Sequence, residues 1–355
     1  MEKSFKFKQK LGFINGWRGV AILMVLFEHF LAQKISQKLN YFWFFDVGWT
    51  GVNLFFILSG FVLYRPYYLG LKKIDNINDF LVYYKNRFTR LYPLLIFHLL
   101  INVFFLNHGS LESIKCSILV LSTTSIFKMS TFYPMINSAL WSIQVEIQFS
   151  IIFPFILLSF KKIKLESLLV IVLIFSFLLR TYSYVFVYNN VHLNSIKDSI
   201  LGRLDDFIVG FFLVKLFFEK KTFTGSINIL LGLVLLISSF VVWECFKFNL
   251  INIKLCSLCN NLFQLAFGFL IVLSFESSSF INRIVSNWFL QVLGLMCYSI
   301  YLWHLNFKGL FTYLLKFDFI DLFVTMLSIL IFSFFSFRYI ENFGEKDYKK
   351  IFLLS

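Results

Sequence analysis

Arg18 and His29 stand eleven residues apart within a single apolar run. At about 100° per residue in an α-helix they share one face, about 20° apart in rotation and roughly 16 Å apart in rise. A cation at one depth can hold an anionic group. A histidine at another depth, with an unperturbed pKa of about 6.5, can take a proton near neutrality. Together they suit a reaction that extends across much of a membrane. The plainer alternative is an arginine snorkelling to lipid phosphates and a histidine capping the opposite helix end.

Further polar residues interrupt later apolar runs. Glu146 lies between Gln144 and Gln148 in the segment Trp141–Gln148, too polar for a lipid-facing wall; polar contact between helices is its structural explanation. Arg180, the group Arg203, Asp205 and Asp206, and His304 all fall near the same end of their runs as Glu28 and His29. Ionisable groups inside a bilayer are costly and mark functional sites by default. Several helices contributing them at one level predict a shared cavity. His29, Glu146 and His304 are its candidate catalytic groups, with Arg180, Arg203, Asp205 and Asp206 as pocket or oxyanion residues. At the opposite end, Arg87 and Arg90 are spaced i,i+3 and suited to phosphates, although ordinary topological charge explains them equally well. His98, His108 and His192 receive no role. Cys256 and Cys259 form a CxxC without the second pair or nearby histidine that a metal site needs; they are expected to be inert, with an external disulfide as the alternative. No metal is expected.

The elements that position these groups follow from composition. Of 355 residues 59% are hydrophobic, 21% aromatic and only 15% charged, far more apolar than a soluble domain. Ten candidate spans result, at 14–32, 48–64, 91–107, 140–160, 165–188, 202–218, 226–244, 258–276, 288–306 and 319–338; the weaker run 114–127 reads as a re-entrant or surface helix. The expected fold is thus an all-α, polytopic transmembrane bundle of about ten helices. Lys3 to Lys10 followed by an apolar stretch imitates a secretory signal, but no small-residue cleavage site follows, so a retained first helix is expected.

The net charge of +14 is spread over short segments between apolar runs, which argues for topological bias and against nucleic acid. Lys3, Lys6, Lys8 and Lys10, then Arg65 to Arg90, Lys161 to Lys164, Lys220 and Lys221, Arg283, and finally Lys346 to Lys350 fall on one side if both termini are cytoplasmic. One transmembrane domain, 1–345, and a short cytoplasmic tail, 346–355, are predicted. Pro93 is expected near a helix start, Pro154 within a span, and Gly48, Gly51 and Gly60 at close helix contacts or turns.

Five segments in order resemble the acyltransferase-3 family of bacterial membrane acyltransferases. Asn15-Gly16-Trp17-Arg18-Gly19 through His29 is similar to the family's Arg-Gly segment with its later histidine. Gly51 to Phe61 resembles its second-helix signature, Arg87 to Pro93 its arginine-rich stretch ending in Tyr-Pro, Leu140 to Pro154 its Leu-Trp-Ser segment, and Tyr298-Ser299-Ile300-Tyr301-Leu302-Trp303-His304 its Tyr-Ser-x-Tyr-Leu-Trp-His motif. Three departures stand out. Asn53 replaces a usual aspartate, Ile147 replaces the second of two adjacent glutamates, and Glu341-Asn342-Phe343 lacks the proline of Glu-x-Pro. Longer members carry a hydrolase-like extramembrane domain, which a chain of this length is not expected to hold.

The resemblance implies transfer of an acyl group, most often acetyl from acetyl-CoA, to a hydroxyl of a surface glycan such as O-antigen or capsule, or of a lipid-linked saccharide. No permanently bound cofactor is implied, and the donor enters from the cytoplasm at the bacterial inner membrane. On that reading Arg18, Arg87 and Arg90 bind the donor. His29 is the general base or carries the acyl group, and Glu146 and His304 orient it or shape the pocket. The rival readings are an exporter of acylated saccharide or a small molecule, and, third, a glycan polymerase or flippase. Topology reporters fused at Asn107 and at Asn190 are expected outside the cell, and reporters at either terminus inside; the reverse pattern would overturn the charge-based orientation.

Overall fold

The computed structural model describes residues 12–32, 47–127, 129–160, 162–187, 195–219, 226–248, 250–252, 256–308 and 318–342, all helical or in turns, with no strand among the described residues. The tail 346–355, Lys3 to Lys10, Lys161, Lys220, Lys221 and His192 lie outside them. Among the described residues thirteen α-helices follow in order: α1 Gly12–Phe27, α2 Thr50–Tyr68, α3 Ile77–Ile101, α4 Leu111–Leu121, α5 Leu140–Ser159, α6 Leu165–Tyr182, α7 Ile200–Phe218, α8 Ser226–Lys247, α9 Cys256–Leu273, α10 Phe280–Val285, α11 Trp288–Leu295, α12 Cys297–Trp303 and α13 Asp318–Ser336. Helix α1 runs on into a π-turn over Glu28–Ala32, and α3, α6 and α13 end likewise.

Among the described residues seven helical segments are long and apolar enough to cross a membrane, or eight when α11 and α12, bent by 62°, count as one span. Of the ten expected spans, the runs 48–64 and 202–218 are the two that do not meet this measure. They form α2 and α7, each 19 residues long, and α7 carries Arg203, Asp205, Asp206 and Lys215. These two pack against one another inside the bundle, so their neighbours are protein and not lipid chains. A helix in that position tolerates charge that a lipid-facing one does not. Facing outward instead are Val170, Ile174 and Leu178 of α6, Leu230, Val234 and Ile237 of α8, and Phe323, Leu327 and Ile331 of α13, all exposed. Helix α4, with 11 residues, is too short to span, in keeping with the surface or re-entrant reading.

One boundary shift matters for the site. Helix α3 begins at Ile77, well before the expected residue 91, because Asn76 and Asp79 form a capping box: Asn76 Oδ1 accepts from the Asp79 amide at 3.0 Å and Asp79 Oδ2 from the Asn76 amide at 3.2 Å. Arg87 and Arg90 are therefore helical residues, and Pro93 lies in the helix interior, not near its start. Tyr83 and Tyr84 donate to the carbonyls of Ser150 and Ile151 at 2.9 and 2.8 Å and fasten α3 to α5.

The centre of the bundle is aromatic. Phe207 of α7 stacks between Phe56 of α2 and Phe149 of α5, with ring centroids 4.8 and 3.8 Å away. Helices α2 and α7 approach so closely that a Cβ on Gly60 would lie 2.1 Å from the Phe207 carbonyl oxygen, and one on Gly210 would lie 2.1 Å from that of Ile57. Gly60→Val should force these backbones apart, costing roughly 1–3 kcal/mol or more. The expected result is a lower unfolding temperature and reduced monodisperse protein in detergent; a wild-type melting curve would contradict the contact.

Candidate active site

Two cavities of nearly equal size, about 670 and about 660 Å³, lie in the bundle. Four helices line both. Along α1, Arg18 borders the first cavity, and Val25, with Glu28 and His29 of the π-turn, borders the second. On α2, Ser59, Phe56 and Phe55 face the first, with Trp49 just before the helix facing the second. At α5, Glu146, Ile143 and Ser142 face the first, while Trp141 and Ala139 face the second. Helix α12 places Tyr298 on the first, and Tyr301 touches both. The eleven-residue separation of Arg18 and His29 thus delivers them to different cavities. The π-turn over Glu28–Ala32 departs from the 3.6-residue period assumed for the pair, a feature that recurs at functional sites.

The first cavity is cationic. Arg18, Arg65, Lys72, Lys73, Arg87 and Arg90 line it against Asp79, Glu146 and Glu341. Arg87 donates to Glu146 at 3.2 Å and to Ser150 Oγ at 2.8 Å, while Ser59 donates to both Glu146 oxygens at 3.0 and 2.9 Å. Glu341 accepts from Ser299 at 2.8 Å. Arg18 and Arg90 form no ion pair among the described residues, and Arg90 is exposed. The expected grouping of Glu146 with His29 is corrected here. Early capping of α3 brings Arg87 onto α5, and Glu146 sits with the arginines.

The second cavity joins polar and aromatic walls. His29 borders it, with its ring centroid 5.0 Å from that of buried His304. His304 Nδ1 lies 2.6 Å from the Tyr301 carbonyl, which only accepts, so Nδ1 carries the proton; Nε2, buried and without a partner among the described residues, offers its lone pair. Arg203 and Arg180 also border this cavity, but their charges are met. Arg203 Nε donates to Asp198 at 3.0 Å, its Nη2 also bonds Asp198, and its Nη1 bonds Asn53 at 2.9 Å and Asn260. Arg180 holds both Asp205 oxygens, at 3.0 and 2.7 Å, and the Gly202 carbonyl at 2.6 Å; its Nε is buried and unpartnered. Asp205 and Asp206 line neither cavity, so their expected place as pocket residues is corrected too. They stand behind the wall, where Asp206 accepts from Gln264 at 2.8 Å.

Several contributors escaped the sequence reading. Lys197 and Asp198 line the second cavity from the turn before α7, where they read as loop charge. Ser59, Ser142 and Tyr301 carried no signal beyond the family motifs. Fully buried His98, given no role, lies 2.9 Å from Asn306 and against Trp303, with ring centroids 4.8 Å apart. Asn53 explains its own departure from aspartate: its amide accepts from Arg203 and donates to Asn260 at 2.6 Å, while Asp198 supplies the negative charge. Cys256 and Cys259 border the second cavity as free thiols, and no cluster of three or more metal-ligating side chains occurs among the described residues.

A family model described as an acyltransferase domain, acyltransferase-3, matches residues 11–338. Proteins named O-acetyltransferase OatA from Staphylococcus aureus strains NCTC 8325 / PS 47 and COL are 25% identical over 316 residues, which cover 82% of this chain and 49% of theirs. The chain therefore spans about half the length of these curated relatives. No solved structure matches it.

The Arg180–Asp205 pair sets a test of wall against chemistry. Asp205→Asn strands a buried guanidinium, which costs about 3–5 kcal/mol. Thermal unfolding in detergent should fall accordingly, and Arg180→Met combined with Asp205→Leu should recover most of the loss. An unchanged unfolding temperature in Asp205→Asn would show that the pair does not hold the wall.

Proposed function

The chain belongs to the acyltransferase-3 family, and from that premise we propose that it is a multi-pass membrane O-acyltransferase. It moves an acyl group, acetyl foremost, from a coenzyme A thioester in the cytoplasm to a hydroxyl of a cell-surface glycan or lipid-linked saccharide. The bilayer is the bacterial cytoplasmic membrane, and both termini lie inside. One observation carries this reading: an arginine-rich cavity and a histidine-bearing cavity lie in one bundle and share the lining residues Val52 and Tyr301. The shared family and the O-acetyltransferase relatives favour an ester product over transport of unmodified substrate.

In this reading the donor's phosphates lie against Arg18, Arg87 and Arg90, since the guanidinium fork matches phosphate oxygens and stays charged at any working pH. Glu146, tied to Ser59 and Arg87, holds one of those forks in place and limits the cavity's excess charge. The pantetheine arm points toward Tyr301, so the thioester reaches the boundary of the second cavity.

The acceptor occupies that second cavity, among Trp49, Trp141 and Trp243 and the polar edge of Lys197, Asp198 and Asn260. His29 removes the proton of the acceptor hydroxyl as its oxygen attacks the thioester carbonyl. The new C–O bond forms, the C–S bond breaks, and the proton passes to the departing coenzyme A thiolate. His304, fixed in one tautomer by the Tyr301 carbonyl, lies beside His29 with an open Nε2 to orient it. Of the two arginines proposed for the oxyanion, Arg203 has every nitrogen engaged; Arg180 retains its Nε.

Membrane vesicles loaded with labelled acetyl-CoA should deposit a base-labile label on the producing cell's own surface glycan. His29→Ala should lower that deposit by roughly 100-fold or more while the protein inserts at normal levels. Full activity in His29→Ala removes the histidine from the mechanism. Movement of unmodified saccharide without label incorporation makes the chain a carrier.

A further inference from the structure

The two cavities share only two lining residues among those described, Val52 and Tyr301. Each is held in place by its own helix. Val52 lies in the first turn of α2, where that helix presses on α1: a Cβ at neighbouring Gly51 would stand 2.6 Å from the Ala21 carbonyl oxygen. Tyr301 comes from α12, past the 62° bend that follows α11.

The phenol of Tyr301 is anchored at its far end. Its hydroxyl accepts from Ser142 Oγ at 2.6 Å and donates to the Ala139 carbonyl at 3.2 Å. Ser142 borders the first cavity and Ala139 the second. The tyrosine side chain thus reaches across to α5 exactly where α5 passes from one cavity to the other. Phe55 braces the ring edge-on, with centroids 6.2 Å apart, and the His304 ring lies 5.4 Å from it. A wall tied at both ends and packed on its flank keeps its position when a ligand arrives.

We propose that Val52 and Tyr301 form a fixed partition that sets the length of acyl group the protein transfers, admitting acetyl and rejecting longer chains. The inference rests on the acyltransferase reading above and adds the residues that determine donor specificity. With the donor's body filling the first cavity and the acceptor the second, the acyl carbons are left only the space between them. Val52 and the anchored phenol are the two side chains that border both cavities and so bound that space. Each further methylene must displace one of those walls or the acceptor itself. Discrimination by a methylene in an apolar site runs to roughly 10–200-fold, so a partition of two side chains suffices.

The test uses right-side-out membrane vesicles carrying the full chain, loaded separately with labelled acetyl-, butyryl- or hexanoyl-CoA. The cells' own surface glycan serves as acceptor, and the readout is base-labile label per folded protein, with folding checked by size-exclusion in detergent. The wild type should favour acetyl over butyryl by about tenfold or more. Val52→Ala should narrow that ratio by about tenfold, chiefly by raising butyryl transfer. Tyr301→Phe, which keeps the ring but cuts its tie to Ser142, should broaden the range in the same direction. Val52→Phe, if it folds, should stop acetyl transfer as well.

A wild-type chain-length ratio in both Val52→Ala and Tyr301→Phe overturns the partition while leaving the acyltransferase reading intact, because acetyl transfer by the wild type is measured in the same vesicles. Wild-type vesicles that form no ester from any donor overturn the acyltransferase reading and the partition with it.

Discussion

An ionised side chain withdrawn from water into a helical bundle must meet a counter-charge, or keep a route to solvent or ligand. That constraint divides this protein in two. Around the second cavity the cations are answered internally: Arg203 by Asp198 with the amides of Asn53 and Asn260, and Arg180 by Asp205. Around the first, six cationic side chains face three carboxylates, and Arg18 and Arg90 have no ion pair among the described residues. A buried pair adds little net stability, yet losing one partner is expensive. The paired wall is therefore a rigid boundary, whereas the cationic cavity is a place where an anion lowers the energy of the whole.

Rigid packing keeps the two environments in register. Helix α1 contacts α2 and α11, and α2 contacts α7, through glycines that leave no space for a side chain. The stacked rings of Phe56, Phe207 and Phe149 add a close-packed centre through α2, α7 and α5. Because α1, α2, α5 and α12 each run past both cavities, a shift in any of them would move groups on both sides at once. Such a frame suits chemistry that joins two ligands from opposite directions, since placing reactants is itself a large part of catalysis.

Much of this was legible in the sequence, and the failures have physical causes. The Arg18–His29 spacing gave two depths on one helix, and the π-turn at Glu28 could not be read from residue types. Glu146 went astray because its depth was inferred from its own apolar run. Its partner Arg87 precedes the expected third span, and only the Asn76–Asp79 cap, which starts α3 fourteen residues before the expected residue 91, reveals the longer helix. The bundle itself was plain from hydropathy, but counting spans by apolar length treats every helix as lipid-facing. Helices α2 and α7 are shielded by their neighbours, so their sequences answer to protein contacts, and each of the four charged residues of α7 has an opposite charge beside it. Asp205 and Asp206 were read as pocket groups from charge alone; burial without cavity contact separates a supporting carboxylate from a lining one, and only coordinates supply that distinction.

The placement of histidines follows the same logic of neighbours. His29, His304 and His98 all sit in helices, yet each has a different electrostatic company. His98 is enclosed with Asn306 and Trp303, with Nε2 bonded to the Asn306 amide and Nδ1 buried among protein atoms. His304 satisfies one nitrogen with a backbone carbonyl and leaves the other open toward no protein group. Of the three, His29 is the one that borders either of these two cavities. On the proposed reading, that gradient from enclosed to open assigns the working proton to His29, whose ring a substrate can reach, and gives His304 a fixed tautomer behind it.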